Sequence, residues 1–143
     1  MRLRIPLAIS ACFLSISVAD AATITGHWIT HKSKAVVRIS QCGTGLCGQI
    51  VWLRQGVDRK GQPVRDIRNR DKNMRGRQVL GLTTFSGLAP VGPGRWSGRM
   101  YNPDDGRTYN GSLTLTNANS IRVEGCRAGG GACGKRSWTR AKR

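Results

Sequence analysis

The sequence predicts an all-β fold: a small antiparallel up-and-down β-barrel of about eight strands with one long basic loop. Three observations carry this reading. Short runs of alternating apolar residues recur along the chain, separated by turn residues. When the strands are paired across those turns, apolar residues meet on one face each time. The chain has no long amphipathic helix, heptad or internal repeat. A meander of neighbouring strands closes on itself, which removes its exposed edges.

Taken in order, Ile24–Thr30 reads as the first strand, with Gly26 and Trp28 on one face. Ala35–Cys42 is the second, with Val37 and Ile39 inward, and Cys47–Arg54 is the third, with Ile50 and Trp52 inward. Setting Cys42 opposite Cys47 pairs Val37 with Trp52, Ile39 with Ile50 and Gln41 with Gly48. Residues 55–77 are basic and nearly free of apolar side chains, so they read as a functional or disordered loop. Val79–Phe85 reads as a strand and Leu88–Gly94 as a Pro/Gly connection.

The best-defined stretch is the hairpin around Asn102-Pro-Asp-Asp-Gly106. Pro103 presets φ for a type I turn, and Gly106 takes the left-handed position that closes it. The register then sets Trp96 against Leu113, Gly98 against Gly111, and Met100 against Tyr109. Through the next turn, Asn117-Ala-Asn119, Leu113 meets Val123, Leu115 meets Ile121, and Gly111 meets Gly125. Setting Cys126 opposite Cys133 pairs Ile121 with Trp138 and Gly125 with Gly134, and turns Arg136 inward. Glycines side by side on the inner face mark a sharp bend or a close approach. All four tryptophans, Trp28, Trp52, Trp96 and Trp138, fall on inward faces in these registers.

The N-terminus reads as a secretory signal peptide over residues 1–21. Arg2 and Arg4 precede an apolar run from Ile5 to Val18, and Ala19-Asp-Ala21 fits a cleavage site. Cleavage after Ala21 is favoured over lipidation at Cys12, and residues 22–143 then form a single periplasmic or secreted domain. Removing Arg2, Arg4 and Asp20 leaves 22 basic and 6 acidic residues, a charge of +16. Such a surface suits an anionic envelope surface of lipid or polysaccharide, whereas no specific nucleic-acid partner is expected after export. The four remaining cysteines allow three disulfide connectivities; Cys42–Cys47 with Cys126–Cys133 is favoured, since each pair brackets a short Gly-rich turn. Their spacings do not suit zinc, so no metal or cofactor is expected.

The chain resembles the DUF2147 family of exported bacterial proteins of unknown function. The resemblance rests on Gly26-His-Trp28, Val37-Arg-Ile39, Cys42 with Leu46-Cys-Gly-Gln-Ile-Val-Trp-Leu53, Asp66 with Asn69, Arg75-Gly-Arg77, Leu80-Gly-Leu82, Gly94-Arg-Trp-Ser-Gly98, Tyr101 through Tyr109, and Trp138-Thr-Arg140. Asn102 stands where the family more often has Asp. The family in turn resembles the lipocalin/calycin barrels, and Gly26-His-Trp28 is similar to their first-strand Gly-x-Trp. The resemblance implies a lipocalin-like barrel, a basic residue, Arg140, over Trp28, and ligand binding inside.

No nucleophile–base pair can be assembled, so the reading is non-enzymatic. His27 and His31 read as surface residues, and Asp104 and Asp105 as turn residues. Gly26, Trp28, Arg140, Pro103 and Gly106 are expected to be structural. The candidate ligand-binding residues are Trp52, Trp96, Tyr109, Asp66, Asn69, Arg75, Arg77 and Arg136. The expected ligand is a small amphiphile, its apolar part between tryptophans and its acidic head near Arg75, Arg77 or Arg136, bound by a monomer.

Overall fold

The computed structural model describes residues 23–142. The expected signal peptide and Cys12 lie outside them. Within them β1 (Gly26–Ile29), β2 (Ala35–Cys42), β3 (Gly45–Leu53), β4 (Thr83–Gly92), β5 (Arg95–Asn102), β6 (Arg107–Asn117), β7 (Ser120–Arg127) and β8 (Cys133–Arg140) follow one another around a closed antiparallel barrel. Two short 3-10 turns, His31–Ser33 and Lys72–Met74, lie in connections. The up-and-down order gathers the β1–β2, β3–β4, β5–β6 and β7–β8 connections at one end of the barrel.

Turn chemistry and alternation set the second half of the barrel. β5 pairs with β6 through Trp96↔Leu113, Gly98↔Gly111 and Met100↔Tyr109. β6 pairs with β7 through Gly111↔Gly125 and Leu113↔Val123, and β7 with β8 through Ile121↔Trp138 and Cys126↔Cys133. All of these are the expected registers. The tip closes with Gly106 at φ +68, its N–H donating to Asn102 O over 2.9 Å. A Cβ on Gly106 would stand 1.7 Å from Arg68 O, so the tip is held directly against the long loop.

The glycine row Gly98, Gly111, Gly125, Gly134 crosses four strands. Side chains from adjoining strands lie over it: a Cβ would come within 2.9 Å of Leu88 at Gly98 and 2.6 Å of Met100 Sδ at Gly111. The row therefore admits close approach, as expected. At Gly134 the added atom would meet nothing within 4 Å.

The β2–β3 pairing corrects the expected register. The turn has only two residues, Gly43 and Thr44, with Gly43 at φ +59, so Cys42 pairs with Gly45 and Cys47 with Ser40. The two cysteines are diagonal neighbours, and they are bonded. Val37 then faces Ile50, while Val36 faces Trp52. Val51 is an extra residue in β3, and this bulge reverses the alternation beyond it. Trp52 consequently turns outward and is 48% exposed. Cys126–Cys133 is the second disulfide.

β4 also differs from expectation. The strand begins at Thr83, and Val79–Leu82 is a turn closed by Leu82 N–H on Val79 O. It runs through Pro90 to Gly92, where a connection was expected. Pro90 pairs with Trp96 next to a register shift at Val91, an irregularity that accommodates a residue without an N–H.

The core fills the end of the barrel opposite the long loop. Ile24, Trp28, Ile39, Leu46, Leu88, Leu113 and Ile121 are fully buried there. Each such side chain contributes roughly 2 kcal/mol by leaving water. Arg140 closes this end. Its guanidinium sits over Trp28 and donates to the carbonyls of Thr25 and Ala118.

Candidate functional site

The other end is not filled. A cavity of about 1800 Å³ opens among the long loop, the β1–β2 connection and the β5–β6 and β7–β8 tips. Its inner wall is apolar, with Val37, Ile50, Leu53, Met100, Val123 and Trp138 among its lining. The bulge at Val51 is what brings Leu53 to this wall in place of Trp52. Glycines line it at Gly125 and Gly134. The apolar inner wall is what a small-molecule site needs, and charged side chains such as Lys32, Arg59, Arg65 and Arg68 ring the mouth above it.

Two sequence-predicted residues do line the cavity. Arg136 pairs with Val123 on the inner face of β8, with Trp138 two positions along. Its guanidinium donates to Lys135 O over 2.7 Å, and no carboxylate among the described residues pairs with it. Tyr109 lies on the same cavity, and its hydroxyl donates to Asp105. That bond, with burial second, raises the Tyr109 pKa. Arg127 stands opposite Tyr109 on β7 and also lines the cavity. Sequence reasoning did not single out Arg127, although extending the Gly111–Gly125 register by two residues leads to it.

The tryptophans are placed differently from expectation. Trp96 is buried in the core and does not line the cavity. Trp52 is on the outside. Trp28 belongs to the closed end, and only Trp138 of the four reaches the cavity. The alternation put Trp96 on the correct face, but the cavity begins nearer the open end than that residue.

Asp66, Asn69, Arg75 and Arg77 do come together, around Asp66, which is 1% exposed. Asp66 accepts from Tyr101 OH at 2.6 Å, from Arg77 Nε at 2.9 Å and from Asn69 Nδ2 at 2.8 Å. Arg77 also lies over the Tyr101 ring, 5.3 Å from its centroid. Arg75 Nε donates to Asn69 O. Burial, then the Asp66 carboxylate, pushes the Tyr101 pKa up to about 12, with Arg77 opposing. Asp66 thus ties loop residues to Tyr101, and the cluster fastens the long loop to β5. Arg68, donating to Asp104 O, fastens it to the adjacent hairpin tip. The loop is therefore ordered, with bridges Val57↔Pro63 and Arg65↔Gln78.

The turn aspartates are occupied: Asp104 pairs with Lys34 at 2.9 Å, and Asp105 accepts from Arg107 N–H at 3.0 Å. His27 and His31 are exposed, His27 on β1 and His31 in the following 3-10 turn. Among the described residues no three of His, Cys, Asp and Glu gather as a metal site would require.

Comparison with known proteins places this geometry. No curated protein matches the chain. Protein HP1028 from Helicobacter pylori, a solved structure described as belonging to the lipocalin family, superposes with a TM-score of 0.69 at 19% identity. The likeness covers 83% of each chain and shows the lipocalin-like fold. The family DUF2147, described as an uncharacterized protein conserved in bacteria, matches residues 26–140. With all eight described strands inside that match, the chain belongs to the DUF2147 family.

Proposed function

We propose that this protein is an exported, non-enzymatic carrier that binds a small amphiphilic anion in its barrel. The apolar part lies along Val37, Ile50, Met100 and Val123, and the acidic head meets Arg136. The observation that carries this reading is Arg136 itself. It is an exposed guanidinium that lines the cavity beside Val123 and Trp138, with no carboxylate partner among the described residues. Arg75 and Arg77 bond within the loop cluster through their Nε atoms and do not line the cavity, so the head-group role falls to Arg136, with Arg127 and Tyr109 on the same cavity. Two disulfides and the signal-like N-terminus support an oxidising compartment outside the cytoplasm.

The test compares palmitate with hexadecanol, which differ in the head alone, by calorimetric titration. Palmitate is expected to bind and hexadecanol to bind more weakly. Arg136→Gln is expected to weaken palmitate roughly tenfold while leaving hexadecanol unchanged, as loss of one charged hydrogen bond predicts. Equal affinity for the two amphiphiles, untouched by Arg136→Gln, would sink the head-group assignment. Native mass spectrometry of protein from its own host would identify a co-purified anion directly.

A further inference from the structure

The open end of the barrel carries a second feature that the cavity does not account for. Large apolar side chains stand in water around it. Ile67 is 70% exposed and Val57 59% exposed, both in the long β3–β4 loop and both at the cavity's mouth. Trp52 is exposed on the outer wall, one residue before β3 ends at the same mouth. Met74 and Leu80, in the same loop, are exposed as well. At the opposite end of the barrel, Val91 is the exposed counterpart.

These side chains are interleaved with cations. Lys32, Arg59, Arg65 and Arg68 line the mouth, and Lys60 follows Arg59 at the tip of a small loop closed by Asp58 N–H on Gln62 O. Of the acids at the mouth, Asp104 is already paired with Lys34, and Asp58 accepts from the backbone of Lys60 and Gln62. The mouth is therefore net positive and apolar at its tips.

We propose that the barrel docks mouth-first on an anionic lipid bilayer. The cations draw the mouth to the head groups, while Ile67, Val57 and Trp52 enter the interface. Cations alone would suit any polyanion. Exposed aliphatic side chains gain free energy by leaving water for apolar surroundings, which a bilayer offers and a hydrophilic polyanion does not, and an indole at the level of the head groups meets both environments. Charge complementarity and apolar tips thus select a membrane over a soluble polymer. Docking in this direction brings the cavity mouth to the bilayer, so a bound amphiphile can pass between them without crossing water. The surface stands independently of the ligand assignment.

The experiment measures sedimentation of the full mature chain with vesicles of phosphatidylcholine, with and without one quarter phosphatidylglycerol. Binding is expected only to the anionic vesicles, and weaker in about 0.5 M salt. Ile67→Ser and Trp52→Ser are each expected to weaken it roughly fivefold, from the lost apolar burial. Val91→Ser, the control at the far end, and Arg136→Gln, which alters the cavity, should leave it unchanged. Since Trp52 is the exposed outer-wall tryptophan, emission should shift to the blue on docking and be quenched by brominated acyl chains, and Trp52→Phe should remove most of both effects. No binding to either vesicle overturns the proposal. So does binding that Ile67→Ser and Trp52→Ser leave intact, which would show adsorption by charge alone. Loss of palmitate affinity in Arg136→Gln with vesicle binding intact would separate the two sites.

Discussion

The guanidinium of Arg140 lies 4.3 Å from the centroid of the Trp28 ring, joining the last strand to the first. Its Nε and Nη1 donate to the carbonyls of Ala118 and Thr25 at 2.7 and 3.0 Å, and Nη2 donates to Thr23 O. β1 and β8 share only two register pairs, Trp28↔Arg140 and Ile29↔Thr139, so this one side chain supplies much of the closure. Gly26 belongs to the same contact. A Cβ there would stand 2.8 Å from Arg140 Nη1, and the residue sits at φ +128. Arg140→Leu should therefore destabilise the barrel by about 3 kcal/mol, from loss of the cation–π contact and of the guanidinium's hydrogen bonds. Arg140→Lys should recover only a minor part, because a single ammonium cannot serve three carbonyls across a planar fork. Thermal unfolding followed by near-ultraviolet circular dichroism checks both. A drop in midpoint no larger than for an exposed arginine such as Arg59 would contradict the role.

Asp66 is the second fastening, and it is buried with three donors around it. Asp66→Ala should cost about 3 kcal/mol, because Tyr101 OH and Arg77 lose their acceptor in a desolvated place. Tyr101→Phe removes one neutral donor and should cost about 1 kcal/mol. The double variant should fall short of the sum, because the two share one bond. Urea midpoints measure the energies. Trypsin supplies an independent readout, since the loop between β3 and β4 is rich in arginine and becomes accessible once unfastened. Unchanged tryptic cleavage in Asp66→Ala would argue that the loop is held elsewhere.

The parts of this molecule legible from sequence are those where local and pairing signals agree. Pro103 and Gly106 set one turn, and alternation then carried the register correctly through β5, β6, β7 and β8. β2 and β3 depart from direct opposition of the two cysteines, because a diagonal pair across a two-residue turn also brings Cys42 and Cys47 together. The bulge at Val51 has no local marker, and it alone decides that Leu53 lines the cavity and Trp52 does not. Arg136 was visible because its register followed from Cys126 and Cys133. The Asp66 cluster was visible as residues but not as an arrangement, since its key partner, Tyr101, lies 35 positions away.

The two tyrosines make the alkaline behaviour directly measurable. Tyr101 is pushed up to about 12 by burial and the Asp66 carboxylate, and Tyr109 is raised by Asp105. A folded-state pKa above the unfolded value means the phenol form is favoured by folding. The associated stability is complete below about 10, the free phenol value, and is lost as pH rises through the folded value. Ultraviolet titration of the native protein should show both phenols ionising later than free tyrosine, and Tyr101→Phe should remove the step near 12. Urea midpoints should fall between pH 10 and 12, less steeply in Tyr101→Phe. A native titration curve matching that of the denatured chain would refute the cluster's hold on Tyr101.

The seam between β1 and β8 leaves part of a strand unpaired. Successive N–H groups of a strand point to opposite sides. Arg140 N–H reaches Asn119 O beside β7, and Ala141 N–H reaches His27 O in β1. By alternation Thr139, Ser137 and Lys135 face the β1 side, but β1 ends at Ile29, opposite Thr139. The amides of Lys135 and Ser137 therefore face the His31–Ser33 turn and the edge beyond it, with no strand to pair with, whereas those of Arg136 and Trp138 face β7. Hydrogen exchange should be at least about tenfold faster at Lys135 and Ser137 than at Arg136 and Trp138, reflecting local opening without loss of a ladder bond. An open edge invites pairing with another copy, and a lysine there opposes it by charge. Lys135→Val should accordingly raise the tendency to dimerise or aggregate, read by light scattering at rising concentration. Equal exchange at all four amides would mean that the edge is covered in solution, and Lys135→Val would then be silent.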